Sequence, residues 1–106
     1  MYKVGSLEEM VMLLAAALKE EAYAVSIANE YTQRTKSEIS IPAIHTVLRR
    51  LEDKGLLRSH DSAPTKERGG RKKRLYTITT FGYQAIQALR NQREELWVLV
   101  PKMDVS

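Results

Sequence analysis

Between Arg49 and Thr80 the chain reads RRLEDKGLLRSHDSAPTKERGGRKKRLYTITT, and few folds accommodate that order of signals. A helical segment closes at Lys54-Gly55, glycine being the residue that most readily takes the left-handed conformation at helix ends. Leu56 to His60 then reads as a strand. Arg74 to Thr79 alternates well enough to be its antiparallel partner. Asp61 to Lys73 lies between them and holds Pro64, Gly69 and Gly70, the usual chemistry of a turn.

The flanking segments read as helices. Ser6 and Glu9 have capping-box spacing, which starts a first helix near Leu7. Leu7, Met10, Val11, Leu14 and Leu18 recur at helical spacing and give it a wide buried face. A second helix is expected from about Tyr23 to Arg34, with Ala24, Ile27, Ala28 and Tyr31 inward. A third is capped by Ser40 and carries Pro42 in its first turn, where a missing amide proton costs little. Its apolar stripe is Ile44, Val47, Leu48 and Leu51. A last helix begins near Thr80 and is expected to run until Pro101, with Ile86, Leu89, Arg93, Leu96 and Val100 forming a heptad-like seam broken by one polar residue. A terminal helix this long cannot bury its whole face on so small a domain.

Helix, strand, basic loop and strand in sequence define the layout of a winged helix. The expected fold class is therefore mainly α: a winged helix-turn-helix with a two-stranded β wing and a long C-terminal dimerisation helix. Residues 1–80 would form the winged-helix unit and residues 81–106 the dimerisation helix, together one compact body. With 106 residues, 43% hydrophobic and 28% charged, the chain suits a single globular domain.

Charge placement points to a polyanion. The chain's net charge is +4, yet Arg58 to Arg74 alone holds seven basic and two acidic residues, a balance of +5. Concentrated cations are what phosphate binding requires, because each neutralised phosphate releases condensed counterions. On the third helix, Pro42, Thr46, Arg49 and Asp53 lie opposite the apolar stripe, with His45 and Arg50 flanking that face. Arginine suits bidentate contact with guanine, and threonine can meet a thymine methyl or a phosphate. For an isolated helix these would be ordinary solvated residues; the adjoining basic hairpin favours a reading role for Thr46, Arg49, His45 and Arg50. Lys66, Arg68, Arg71, Lys72 and Lys73 are the expected phosphate contacts.

Other chemistries lack support. There is no cysteine, and the two histidines, His45 and His60, are too few for a metal site or catalytic dyad. Gly69-Gly70 has neither a following helix nor a Lys-Ser/Thr partner, so it is not a nucleotide-binding loop. No cofactor, metal or enzyme activity is expected. The longest apolar run, Met10 to Leu18, is about half the roughly 20 residues a membrane span needs. A cytoplasmic location is expected. Trp97, the only tryptophan, reads either as a buried dimer residue or as a platform for a flat hydrophobic effector.

Several blocks together resemble the PadR family of bacterial transcriptional regulators. They are VGSLEEMVMLL, AYAVSIANEY, ISIPAIHTVLRRLEDKGLL and PTKERGGRKKRLYTITTFGYQAI, covering Val4 to about Leu89. The most specific are Leu48 to Leu56 and the GGRKKRLYTIT block ending in Thr-x-x-G, Thr79 to Gly82. Two departures are His45, where the family commonly has tyrosine, and Ala24, where a glycine often follows the tyrosine.

The resemblance implies a homodimer in which the terminal helix packs on the N-terminal region and terminal helix of its partner. It also implies a repressor on a palindromic double-stranded operator, in some members released by phenolic or drug-like compounds. Leu7, Ile86, Leu89, Arg93, Leu96, Trp97 and Val100 are the expected interface residues, with Trp97 the possible effector contact. The alternative is a winged-helix protein-interaction module that does not bind DNA.

Overall fold

The computed structural model describes residues 3–62 and 72–105. Four helices and one hairpin follow in the order α1 (Ser6–Leu18), α2 (Ala24–Thr35), α3 (Ile41–Asp53), β1 (Leu57–Asp61), β2 (Arg74–Ile78) and α4 (Thr80–Trp97). A single 3₁₀ turn, Lys19–Glu21, joins α1 to α2. None of the helices among the described residues is long and apolar enough to cross a membrane.

Local chemistry sets most boundaries. The Ser40 hydroxyl accepts from the Ala43 N–H at 3.2 Å, and Pro42 occupies the first turn of α3. Gly55, at φ +75°, closes that helix while the Leu56 N–H donates to the Leu51 carbonyl at 2.9 Å. At the end of α2 the same left-handed region is taken by Lys36, at φ 61°.

Two sequence expectations need correction. The first helix is entered one residue earlier than the Ser6–Glu9 box implied: Gly5 is the N-cap, and its N–H donates to the Glu8 carboxylate at 3.0 Å. Glu9 is unavailable for capping because its carboxylate is held by Arg93. At the other end of the chain, α4 closes at Trp97, short of Pro101, in a turn where the Leu99 and Val100 N–H groups donate to Leu96 and Trp97. The proline disfavours helical backbone at the residue before it and has no N–H to continue the ladder.

The core forms where α1, α2 and α3 meet the hairpin. Val11, Met12, Ile27, Ile44, Leu48, Leu51 and Leu56 are fully buried, joined by Leu57, Tyr76 and Ile86. Each such side chain stabilises the fold by about 1.5–3 kcal/mol relative to exposure. The strands pair antiparallel from Leu57 opposite Ile78 to Asp61 opposite Arg74. The Tyr76 N–H also donates to the Ala22 carbonyl at 2.9 Å, which ties the α1–α2 connection to β2.

The junction of β2 and α4 is interlocked with the end of α3. The Thr79 hydroxyl accepts from the Gly82 N–H at 2.9 Å and donates to the Gly55 carbonyl at 2.7 Å. Gly82 is buried against the Leu56 backbone, where a Cβ would overlap the Leu56 carbonyl oxygen and press Ile78 Cγ1 at 2.9 Å. Beyond Leu89, α4 leaves the body, and every residue from Arg90 to Val105 is exposed. The radius of gyration, 16.1 Å, exceeds the roughly 13 Å of a compact domain this size for that reason.

Candidate nucleic-acid interface

The outward face of α3 carries His45, Thr46, Arg49 and Arg50, all exposed. It is outward because Ile44, Val47, Leu48 and Leu51 claim the other side for the core. The Thr46 hydroxyl donates to the Pro42 carbonyl at 3.1 Å, which occupies its proton and leaves its oxygen able to accept. Arg49 has no hydrogen-bond or ion-pair partner among the described residues, so its guanidinium is available to a ligand. Arg50 differs from it: its charge acts on Glu8, toward α1.

The hairpin is fixed to the C-terminal end of this helix. Ser59 on β1 donates to the Glu52 carboxylate at 2.5 Å, and Thr79 ties β2 to Gly55. Neither Glu52 nor Ser59 was singled out from the sequence; seven residues apart across a turn, they carry no local periodic signal. The pairing continues past the strands, since the Ser62 N–H donates to the Lys73 carbonyl at 2.7 Å and the Lys73 N–H to the Ser62 hydroxyl at 2.9 Å.

Of the five hairpin cations expected to meet phosphates, Lys72 is exposed. Lys73 is half-buried, its ammonium 4.3 Å from the centroid of the Tyr23 ring, an arrangement that engages the charge with the ring quadrupole. Lys66, Arg68 and Arg71 lie outside the described residues. Arg58 and Arg74 are exposed on the strands, and Arg74 pairs with Asp61 at 3.5 Å.

The residues expected at a dimer interface divide into two sets. Ile86 belongs to the chain's own core, Leu7 packs on its margin, and Arg93 is bridged to Glu9 of the same chain. Leu96, Trp97 and Val100 stand out from the body, Trp97 at 73% exposure, and Val98, Leu99, Met103 and Val105 extend the same apolar end. The sequence seam at three-four spacing passed over these four, which lie off it or past Pro101. A groove of about 610 Å³ runs beside the first half of α4, lined by Val4, Leu56, Phe81, Ala85, Ala88 and Leu89 with a few polar neighbours. No group of His, Asp or Glu among the described residues is arranged to hold a metal ion.

A helix-turn-helix followed by a hairpin, with an arginine that has no partner among the described residues on the outer face of its second helix, defines a winged-helix protein. More narrowly, the chain belongs to the transcriptional regulator PadR-like family, whose model matches residues 13–95.

Solved structures agree. A PadR-like transcription factor from Bacteroides fragilis is 26% identical, with 85% of this chain and 82% of that one covered at a TM-score of 0.69. A PadR-like transcriptional regulator from Bacillus cereus gives a TM-score of 0.72 at 17% identity, covering 88% and 85%. A PadR family regulator from Clostridium difficile gives 0.70 at 17%, covering 90% and 94%. At such identities the last two speak for the fold alone. No curated protein is similar enough to this chain to match it.

Proposed function

We propose that this chain is a homodimeric, sequence-reading DNA-binding repressor. The observation that carries the reading is Arg49: an exposed guanidinium without a protein partner among the described residues, on the outer face of α3 and beside a hairpin pinned to that helix. Arg49 and Thr46 read base edges, with His45 and Arg50 at the margin of the contact. Lys72, with Lys66, Arg68 and Arg71, holds phosphates, and Lys73 serves chiefly to seat the base of the wing on Tyr23.

In this reading residues 1–80 are the DNA-binding unit and residues 81–106 the dimerisation segment. Two copies associate through the groove beside α4 and the apolar end from Leu96 to Val105, with Leu89, Leu96, Trp97 and Val100 between them. The two copies of α3 then lie about one helical turn of DNA apart, roughly 34 Å, on a palindromic operator. A small hydrophobic or phenolic compound stacking on Trp97 is the natural release signal, since it would compete for the same apolar surface. The protein acts in the cytoplasm, where its operator is.

Selection of bound sequences from random duplex DNA at about 150 mM salt tests this directly. A palindromic motif is the expected product. Recovery of nothing above background, in protein confirmed free of bound small molecules, refutes it and favours a winged-helix interaction module.

A further inference from the structure

Two adjacent acidic residues in the first turn of α1 point to different partners. Glu8 accepts from Lys54 Nζ at 2.9 and 3.2 Å, and the same ammonium donates to the Lys3 carbonyl at 3.3 Å. Lys54 is the C-cap of α3. Glu9 takes a two-pronged contact from Arg93 on α4, 2.6 Å from Nη2 and 3.2 Å from Nε. Both carboxylates are largely shielded, at 12% and 14% side-chain exposure, although neither is in the apolar core.

The placement of Arg93 matters because of what surrounds it. It lies seven residues beyond Ile86, the last core residue of α4, on a half-helix exposed throughout. The only other ion pair of that half among the described residues, Arg90 with Glu94, is internal to the helix. Among the described residues, Glu9 is thus the one side chain outside α4 that holds its projecting half by an ion pair. A neighbour on the same turn of α1 holds the end of α3.

We infer that Glu8 and Glu9 form a clasp that fixes the angle between α3 and α4, and through it the half-site spacing that the dimer accepts. This rests on the DNA-binding reading given above. The lever is long enough: from Ile86 to the end of α4 at Trp97 the helix spans about 16 Å at helical rise. A tilt of about 12° moves its tip by roughly 3.4 Å, which is one base-pair step along the duplex. Glu8, Glu9, Lys54 and Arg93 are positioning residues and need touch no DNA.

Competition binding on palindromes with the selected spacing, and with one base pair added or removed, tests the clasp, with an isolated half-site as control. Glu9→Gln, Arg93→Gln and Glu8→Gln should each lose threefold or more of the wild type's discrimination between spacings. Half-site affinity should stay within about twofold. The reversed pair Glu9→Arg with Arg93→Glu should restore much of the discrimination. Wild-type discrimination in all the single variants overturns the proposal.

A second measurement needs no DNA. The chain has no cysteine, so Asp53→Cys with Asn91→Cys places two spin labels, one on α3 and one on α4. Labelled protein is diluted with unlabelled protein so that distances within one chain dominate. Glu9→Gln should broaden or shift the α3–α4 distance distribution, and an unchanged distribution refutes the clasp. Wild type that selects no DNA would refute the function, while the label distance would still decide whether the clasp fixes the angle.

Discussion

Gly82→Ala sets two physical effects of opposite sign against each other. Helix propensity alone predicts stabilisation, because alanine in place of glycine within a helix contributes about 0.5–1 kcal/mol. The packing predicts the reverse. The added methyl would overlap the Leu56 carbonyl oxygen and crowd Ile78 Cγ1. The carbonyl belongs to backbone pinned by the Thr79 N–H at 3.2 Å and by the Leu56–Leu51 closing bond, so it cannot swing aside as a side-chain tip would. Overpacking of this kind costs about 1–3 kcal/mol, and the rigid neighbour puts Gly82 at the upper end. The net expectation is a loss of about 2 kcal/mol out of the 5–15 kcal/mol typical of a domain.

At about 4 °C per kcal/mol for a chain of this size, Tm should fall by roughly 8 °C. Thermal and urea melts at matched protein concentration measure it, since association makes Tm concentration-dependent. An unchanged or raised Tm would mean that the helix term wins and that the junction of α3 and α4 yields.

Other perturbations probe the remaining assignments. Arg49→Ala should cost about 1–3 kcal/mol at one base position and relax specificity there, whereas Lys72→Ala should weaken all sequences alike and reduce the salt slope by about one. Equal losses for both variants on cognate and random duplexes would remove α3 as the reader. Leu96→Glu should shift sedimentation toward monomer and lower operator affinity; an unchanged sedimentation profile would take α4 out of the interface.

Glu8 offers a pH test. Burial alone would raise its pKa, but the Gly5 N–H, the Lys54 ammonium and the charge of Arg50 outweigh it and hold the carboxyl below its ordinary value. Its stabilising contribution is therefore full above roughly pH 4.3, the unfolded glutamate value, and is lost as pH falls through the folded value. The Tm gap between wild type and Glu8→Gln should close on acidification, and a gap independent of pH would refute the linkage.

Most of the fold was legible because its signals are local. Ser40, Pro42 and Gly55 punctuate α3, and three-four spacing marks its buried stripe, so helix and face follow from neighbours in the chain. What failed depended on distant partners. By residue type Ser6 with Glu9 is the better capping pair, since Gly5 has no side-chain oxygen; yet it is Glu8 that takes the Gly5 N–H, while Glu9 is held by Arg93, eighty-four residues away. Lys73 reads as a free cation until Tyr23, fifty residues earlier, is placed beneath it. The seam on α4 mixed one core residue, Ile86, with projecting ones, because periodicity marks a face without saying where the body ends. Thr79-x-x-Gly82 stood out as a motif, but the Leu56 carbonyl that requires its glycine is visible only in three dimensions.

Lys36 leaves the molecule with an unused margin. A lysine at φ 61° carries a backbone penalty that glycine would avoid, and after glycine's larger unfolded-state entropy is set against it about 0.5–1 kcal/mol is recoverable at this one exposed position. That position precedes α3 without belonging to its outward face. A lineage drifting toward a new operator has to change residues on that face, and such changes usually erode folding. One substitution at Lys36 could absorb a step of that erosion, so the turn into the reading helix is a reserve on which evolvability can draw.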